Sequence, residues 1–147
     1  MGVSSDFKER ILTSSDEFLS YSAEIRRLAS KDNIHVFEFI PPSALDKKPL
    51  TSDEKAILIG YASHKSYDWT LPSRLLNSTF DRIASILKLV DRVNGEYTFV
   101  DGRRAFEGET GTMFADIWHF GDAGHYKFGA LISNTTSYWF KNKPDQY

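Results

Sequence analysis

The chain has 147 residues, of which 18 are basic and 20 acidic, for a net charge of −2. That balance lacks the basic excess that marks most nucleic-acid binders, no apolar run approaches the roughly 18 residues that cross a bilayer, and residues 1–20 lack the basic start and apolar stretch of a secretory leader. Cysteine is absent, which excludes disulfides, thiolate catalysis and cysteine–zinc sites. With 41% hydrophobic and 26% charged residues the composition is that of an ordinary globular protein, large enough for one domain with its own core.

Residues 15–31 read as a helix. Phe18, Tyr21, Ile25 and Leu28 recur at spacings of three and four and give one apolar stripe. Ser14 or Ser15 is the expected N-cap, and Asp32-Asn33 breaks the pattern. Ile34-His35-Val36-Phe37-Glu38-Phe39-Ile40 is dense in β-branched and aromatic residues and predicts a largely buried strand, stopped by Pro41-Pro42. Glu38 is out of place there and is expected at a solvent edge or against a partner.

Thr51-Ser52-Asp53-Glu54 has the form of a capping box: Thr51 caps a helix and Glu54 reaches back. That helix is expected to end at residues 61–64, with His64 in the loop beyond. Residues 65–72 read as irregular and aromatic. A longer helix over residues 73–92 has the buried stripe Leu76, Phe80, Ile83, Leu87 and Val90, and Asn94-Gly95 ends it. Tyr97-Thr98-Phe99-Val100 is a second short strand, followed by a Gly-punctuated loop at 108–112. The last helix starts near Asp122, a plausible N-cap whose charge suits the helix dipole, and runs to about Trp139. Residues 141–147 read as a frayed tail.

Strands separated by helical crossovers imply an α/β fold with a parallel sheet. Two such strands make a poor core alone, because parallel sheets are normally buried on both faces. The pattern is therefore expected either to be part of a larger domain or to hold further strands that the sequence pattern does not mark.

The chemistry is concentrated in Phe114-Ala115-Asp116-Ile117-Trp118-His119-Phe120. On a turn, an Asp three residues before a His reaches the imidazole Nδ1, and a carboxylate there fixes the tautomer of a general base. The bland reading is an Asp capping a turn beside an ordinary His. The position between a candidate strand and a helix is where open α/β sheets place their sites. His125 lies six residues past His119, not the three or four natural for a helical metal pair, so no metal or cofactor is expected. His35 is expected to be satisfied by packing. Trp118 and Phe120 suit a core better than an acyl pocket.

The block Phe99-Val100-Asp101, then Phe114 through His125, then Ala130-Leu131-Ile132, resembles the C-terminal block of the SGNH hydrolases, also called GDSL esterases. Val36 through Pro42 is similar to the family's fourth strand and its Pro turn. The resemblance covers residues 15–139, with only the Asp-x-x-His block specific. It implies a flavodoxin-like three-layer α/β/α sandwich of which this chain is the C-terminal part. It also implies that Asp116 and His119 are the acid and base of a Ser-His-Asp triad. The family's Gly-Asp-Ser nucleophile and Gly-x-Asn-Asp oxyanion motif are absent, and no Gly-x-Ser-x-Gly elbow replaces them. Among other serines, Ser43, just after the first strand, comes nearest to a nucleophile's setting.

The expected function is the base-bearing half of a serine ester hydrolase, inactive alone, taking an ester substrate once an N-terminal half completes it. The alternatives are a non-catalytic module pairing through a bare sheet edge, with self-association through residues 34–40, and a fragment without independent function.

Overall fold

A computed structural model describes residues 5–64 and 70–142. These residues form a mixed α/β fold with four α-helices and a two-stranded parallel sheet: α1 (Ser5–Lys31), β1 (Val36–Ile40), α2 (Ser52–His64), α3 (Thr70–Val93), β2 (Tyr97–Asp101), a 3-10 turn (Gly102–Arg104) and α4 (Asp122–Asn142). The chain divides into two compact units. One is Met1–Phe39 with Ser66–Val100, and the other is Ile40–Lys65 with Asp101–Tyr147.

In the first unit α1 packs on α3. The stripe read for α3 is the one that packs: Ile83, Ala84 and Leu87 are buried, Leu76, Phe80 and Val90 half-buried, and Tyr97 and Phe99 of β2 complete the core. The helix begins three residues earlier than expected, at Thr70, with Pro72 in its first turn. Proline is tolerated there because that N–H has no intrahelical acceptor. Residues 65–69 of the expected irregular stretch lie outside the described residues.

Two expectations for α1 are corrected. The helix starts at Ser5, so Ser14 and Ser15 are interior positions and not caps; Ser15 instead donates to the Leu12 carbonyl and accepts from Arg82. The inward face is Ile11, Ser15, Leu19, Ser22, Arg26 and Ala29, whereas Phe18, Tyr21, Ile25 and Leu28 are 41–70% exposed. The reason is Glu38. Its carboxylate lies inside the unit, where an unpaired charge is costly, and α1 turns its donors inward to meet it. Ser22 Oγ donates to Glu38 at 2.5 Å, Tyr97 Oη at 2.7 Å and the Arg26 guanidinium at 3.3 Å. Arg26 also lies over the Tyr97 ring. Burial first, and then the Glu38 carboxylate, raise the Tyr97 phenol above its ordinary value.

The end of α1 explains why β1 is shorter than residues 34–40. Asn33 adopts φ 55°, Ile34 N–H donates to the Ala29 carbonyl and Asn33 N–H to that of Ser30. This is the Schellman cap. It uses Asn33 and Ile34 as helix terminus, leaves Ile34 exposed and starts the strand at Val36. Residues 36–39 are half-buried and only Ile40 fully buried. His35 packs on Phe37 and bonds Thr98 through Nε2 at 2.9 Å.

The second unit has a core of Ala44, Phe106, Met113 and Phe114, with Leu58, Phe120 and Phe128 against it. Phe106, Phe114 and Phe120 meet edge-to-face at 5.2–5.6 Å, the favourable geometry for ring quadrupoles. The capping box forms as written in the sequence. Glu54 N–H donates to Thr51 Oγ1 at 3.2 Å, and Thr51 N–H to Glu54 Oε2 at 2.9 Å. His64 is the last residue of α2, not a loop residue. Asp122 is the first helical residue of α4, which runs on to Asn142; residues 143–147 of the expected tail lie outside the described residues.

Candidate functional site

Residues 115–119 form a tight loop between Phe114 and Phe120, which pair as an isolated antiparallel bridge. Ala115 N–H donates to the His119 carbonyl and Gly121 N–H to that of Met113, both at 2.9 Å. Inward and outward residues follow from that closure. Phe114 and Ile117 are buried and Phe120 packs on the core, while Asp116 and His119 face solvent. Ile117 also accepts the Ala44 N–H at 2.9 Å, so the loop is tied to the segment that leaves the C-terminal end of β1.

Asp116 uses both carboxylate oxygens. Oδ1 accepts from the Trp118 and His119 amides, each at 2.8 Å, and Oδ2 lies 2.7 Å from His119 Nδ1. The hydrogen bond to His119, then the two amides, hold the Asp116 carboxyl below the usual carboxylate range. An ionised carboxylate only accepts, so the proton of this contact sits on Nδ1 and neutral His119 carries its lone pair on Nε2. That is the tautomer a general base needs. The pair is open: the side chains of His119 and Asp116 are 78% and 53% exposed.

Among the described residues the other side chains singled out in the sequence make no hydrogen bond to this pair, to which Trp118 brings only its amide. Phe120 is a core residue, and it also packs edge-on against His125 at 5.5 Å. Trp118 is 42% exposed. Ser43 is only 8% exposed, and its amide and hydroxyl both donate to Asp46 Oδ2, at 2.8 and 2.7 Å. A serine so committed to closing its own turn is a poor nucleophile. Among the described residues no group of three or more His, Asp or Glu is arranged to hold a metal.

The structure also brings together a group that the sequence conceals. Lys47 and Glu54, both with fully buried side chains, form an ion pair at 2.6 Å. Lys47 also donates to the Pro49 carbonyl, and Glu54 Oε1 accepts the Met113 N–H at 2.8 Å. Burial pushes the Glu54 carboxyl up, but Lys47 and the Thr51 and Met113 amides outweigh it, and the net direction is down. This clamp fixes Met113 immediately before the loop. On the other side Gly124 of α4 lies so close to the Met113 carbonyl that a Cβ there would overlap it. The capping box was the one signal of this site; nothing in the sequence marked Lys47.

Fold and loop together define a mixed α/β protein with a solvent-facing carboxylate–imidazole pair. Compared with protein-family models, with curated proteins and with solved structures, the chain matches none.

Proposed function

We propose that Asp116 and His119 are the orienting acid and the general base of a serine acyl hydrolase of SGNH type. In this reading the chain is the C-terminal part of a flavodoxin-like three-layer α/β/α sandwich, and the nucleophile and oxyanion donors come from a segment outside it. The observation that carries the reading is the 2.7 Å contact from Asp116 Oδ2 to His119 Nδ1, made while Oδ1 locks the same carboxylate to the loop. In the completed site His119 would take the serine proton through Nε2 and return it to the leaving alcohol. Water would then cleave the acyl-enzyme with His119 again as base. The substrate is an ester.

The tautomer is tested on the chain as it stands. Nitrogen-15 shifts of the imidazole should report neutral His119 protonated on Nδ1, and Asp116→Asn should mix the two tautomers. A neutral His119 protonated mainly on Nε2 would remove the basis of the reading. For activity, the chain alone should hydrolyse short activated esters no faster than His119→Ala, because nucleophile and oxyanion donors supply most of the rate. The coding sequence upstream of Met1, or an adjacent one, should supply a Gly-Asp-Ser block. The polypeptide restored with it should lose at least about 1,000-fold in kcat/KM on His119→Ala. A restored polypeptide indifferent to His119→Ala, or no such block in either place, would overturn the assignment.

The second reading, a non-catalytic interaction module, is favoured by the apolar residues exposed on α1. Residues 34–40 are the other candidate contact for such a module, and the variants below separate the two.

A further inference from the structure

Phe18, Tyr21, Ile25 and Leu28 lie on one face of α1 at spacings of three, four and three, and all four are exposed. This is the a/d spacing of a helix that packs along another helix. The face adjoins, but is separate from, the inward one, since Ser15, Ser22 and Arg26 are already engaged within their own unit. Isolated surface apolar residues need no explanation, but a row of two aromatic and two aliphatic side chains over three helical turns marks an interaction surface.

The charges beside the row indicate its occupant. Along its other flank run Glu17, Glu24 and Lys31, seven residues apart and all exposed. A second copy laid antiparallel, with its midpoint between Tyr21 and Ile25, sets Phe18 against the second copy's Leu28 and Tyr21 against its Ile25. In that register Glu17 of each copy meets Lys31 of the other, twice by symmetry. Only the two Glu24 residues face a like charge near the axis, and each is already neutralised by Arg27 at 2.6 Å. A parallel pair would instead oppose Glu17 to Ser22 and Glu24 to Ala29. Those positions carry no charge, and Ser22 is turned into its own unit. Flanking charges set helix orientation in this way.

We propose that α1 is the interface of a homodimer, in which two copies pair antiparallel through Phe18, Tyr21, Ile25 and Leu28. The pairing does not depend on the hydrolase reading.

Sedimentation of the full chain from about 1 µM to about 200 µM should show a monomer–dimer equilibrium. Ile25→Glu, at an exposed position, should weaken it about 100-fold or more while leaving the circular dichroism and thermal midpoint of the monomer unchanged. Glu17→Lys should weaken it about 5-fold or more, and the double exchange Glu17→Lys with Lys31→Glu should restore it. The absence of native cysteine makes cross-linking clean. Under mild oxidation Glu24→Cys should link to itself, whereas Glu17→Cys should link to Lys31→Cys in a mixture and not to itself. A compact monomer at every concentration would overturn the proposal. So would a dimer that survives Ile25→Glu, which would place the contact elsewhere, residues 34–40 included, and so would self-linking of Glu17→Cys.

Discussion

Glu54→Ala should destabilise the folded chain by about 3–5 kcal/mol, because it leaves the Lys47 ammonium buried without its counter-charge and takes the acceptor from the Thr51 and Met113 amides. Chemical denaturation read by circular dichroism measures the loss. The informative companion is Lys47→Met with Glu54→Gln. The amide oxygen still accepts a backbone N–H and no buried charge remains, so this double variant should recover most of the loss. The pair also sets the acid limit. The folded-state carboxyl of Glu54 lies below its ordinary value, so its contribution is full above the unfolded value, roughly pH 4.3, and is lost as pH falls through the lower folded value. Wild type should therefore lose stability on acidification below about pH 4. The double variant should show a shallower acid limb. Identical acid limbs in the two proteins would mean that the Lys47–Glu54 pair does not govern the transition.

Gly124→Ala should cost about 3 kcal/mol, despite the gain of about 1 kcal/mol that alanine brings to a helix interior. Its Cβ would overlap the Met113 carbonyl and sit 3.0 Å from the Phe120 Cβ. Neither neighbour can yield easily: Met113 is held by Glu54 and by Gly121, and Phe120 is wedged among Phe106, Phe114 and Phe128. The helix start must move instead, and the loop with it. The Asp116–His119 contact should loosen, visible as a shift of the His119 imidazole resonances. Gly129→Ala in the same helix is the control. Nothing lies within 4 Å of its Cβ position, so it should stabilise by roughly 0.5–1 kcal/mol. Equal effects at the two glycines would show that helix propensity, not the approach to Met113, decides them.

The interactions legible in the sequence are those between residues three or four apart. In the Thr51–Glu54 capping box, the Asp116–His119 contact and each step of the α3 stripe, the two residues lie within about one turn of chain. Local geometry brings such pairs within reach of each other. The same rule misled at α1, whose apolar row is genuine but faces outward. Periodicity marks a face; it does not say what covers it. Glu38, placed 12 and 16 residues from the donors Arg26 and Ser22 and 59 from Tyr97, decided which face turned in.

Two strands, the helices joining them, and the Asp116–His119 contact were thus determined by the sequence alone, because backbone propensity and near-neighbour hydrogen bonds suffice for each. Only the tertiary structure decided the inward face of α1, the commitment of Ser43 to its own turn, the Lys47–Glu54 clamp with Met113 and the contact that requires glycine at 124. The link from Glu54 to Met113 joins residues 59 apart in sequence, and the glycine contact crosses from α4 to the residue before the loop, where no spacing rule operates. The Glu54 link exists because buried charges and buried amides must find partners wherever the fold brings them, and the glycine contact because α4 starts against the Met113 carbonyl.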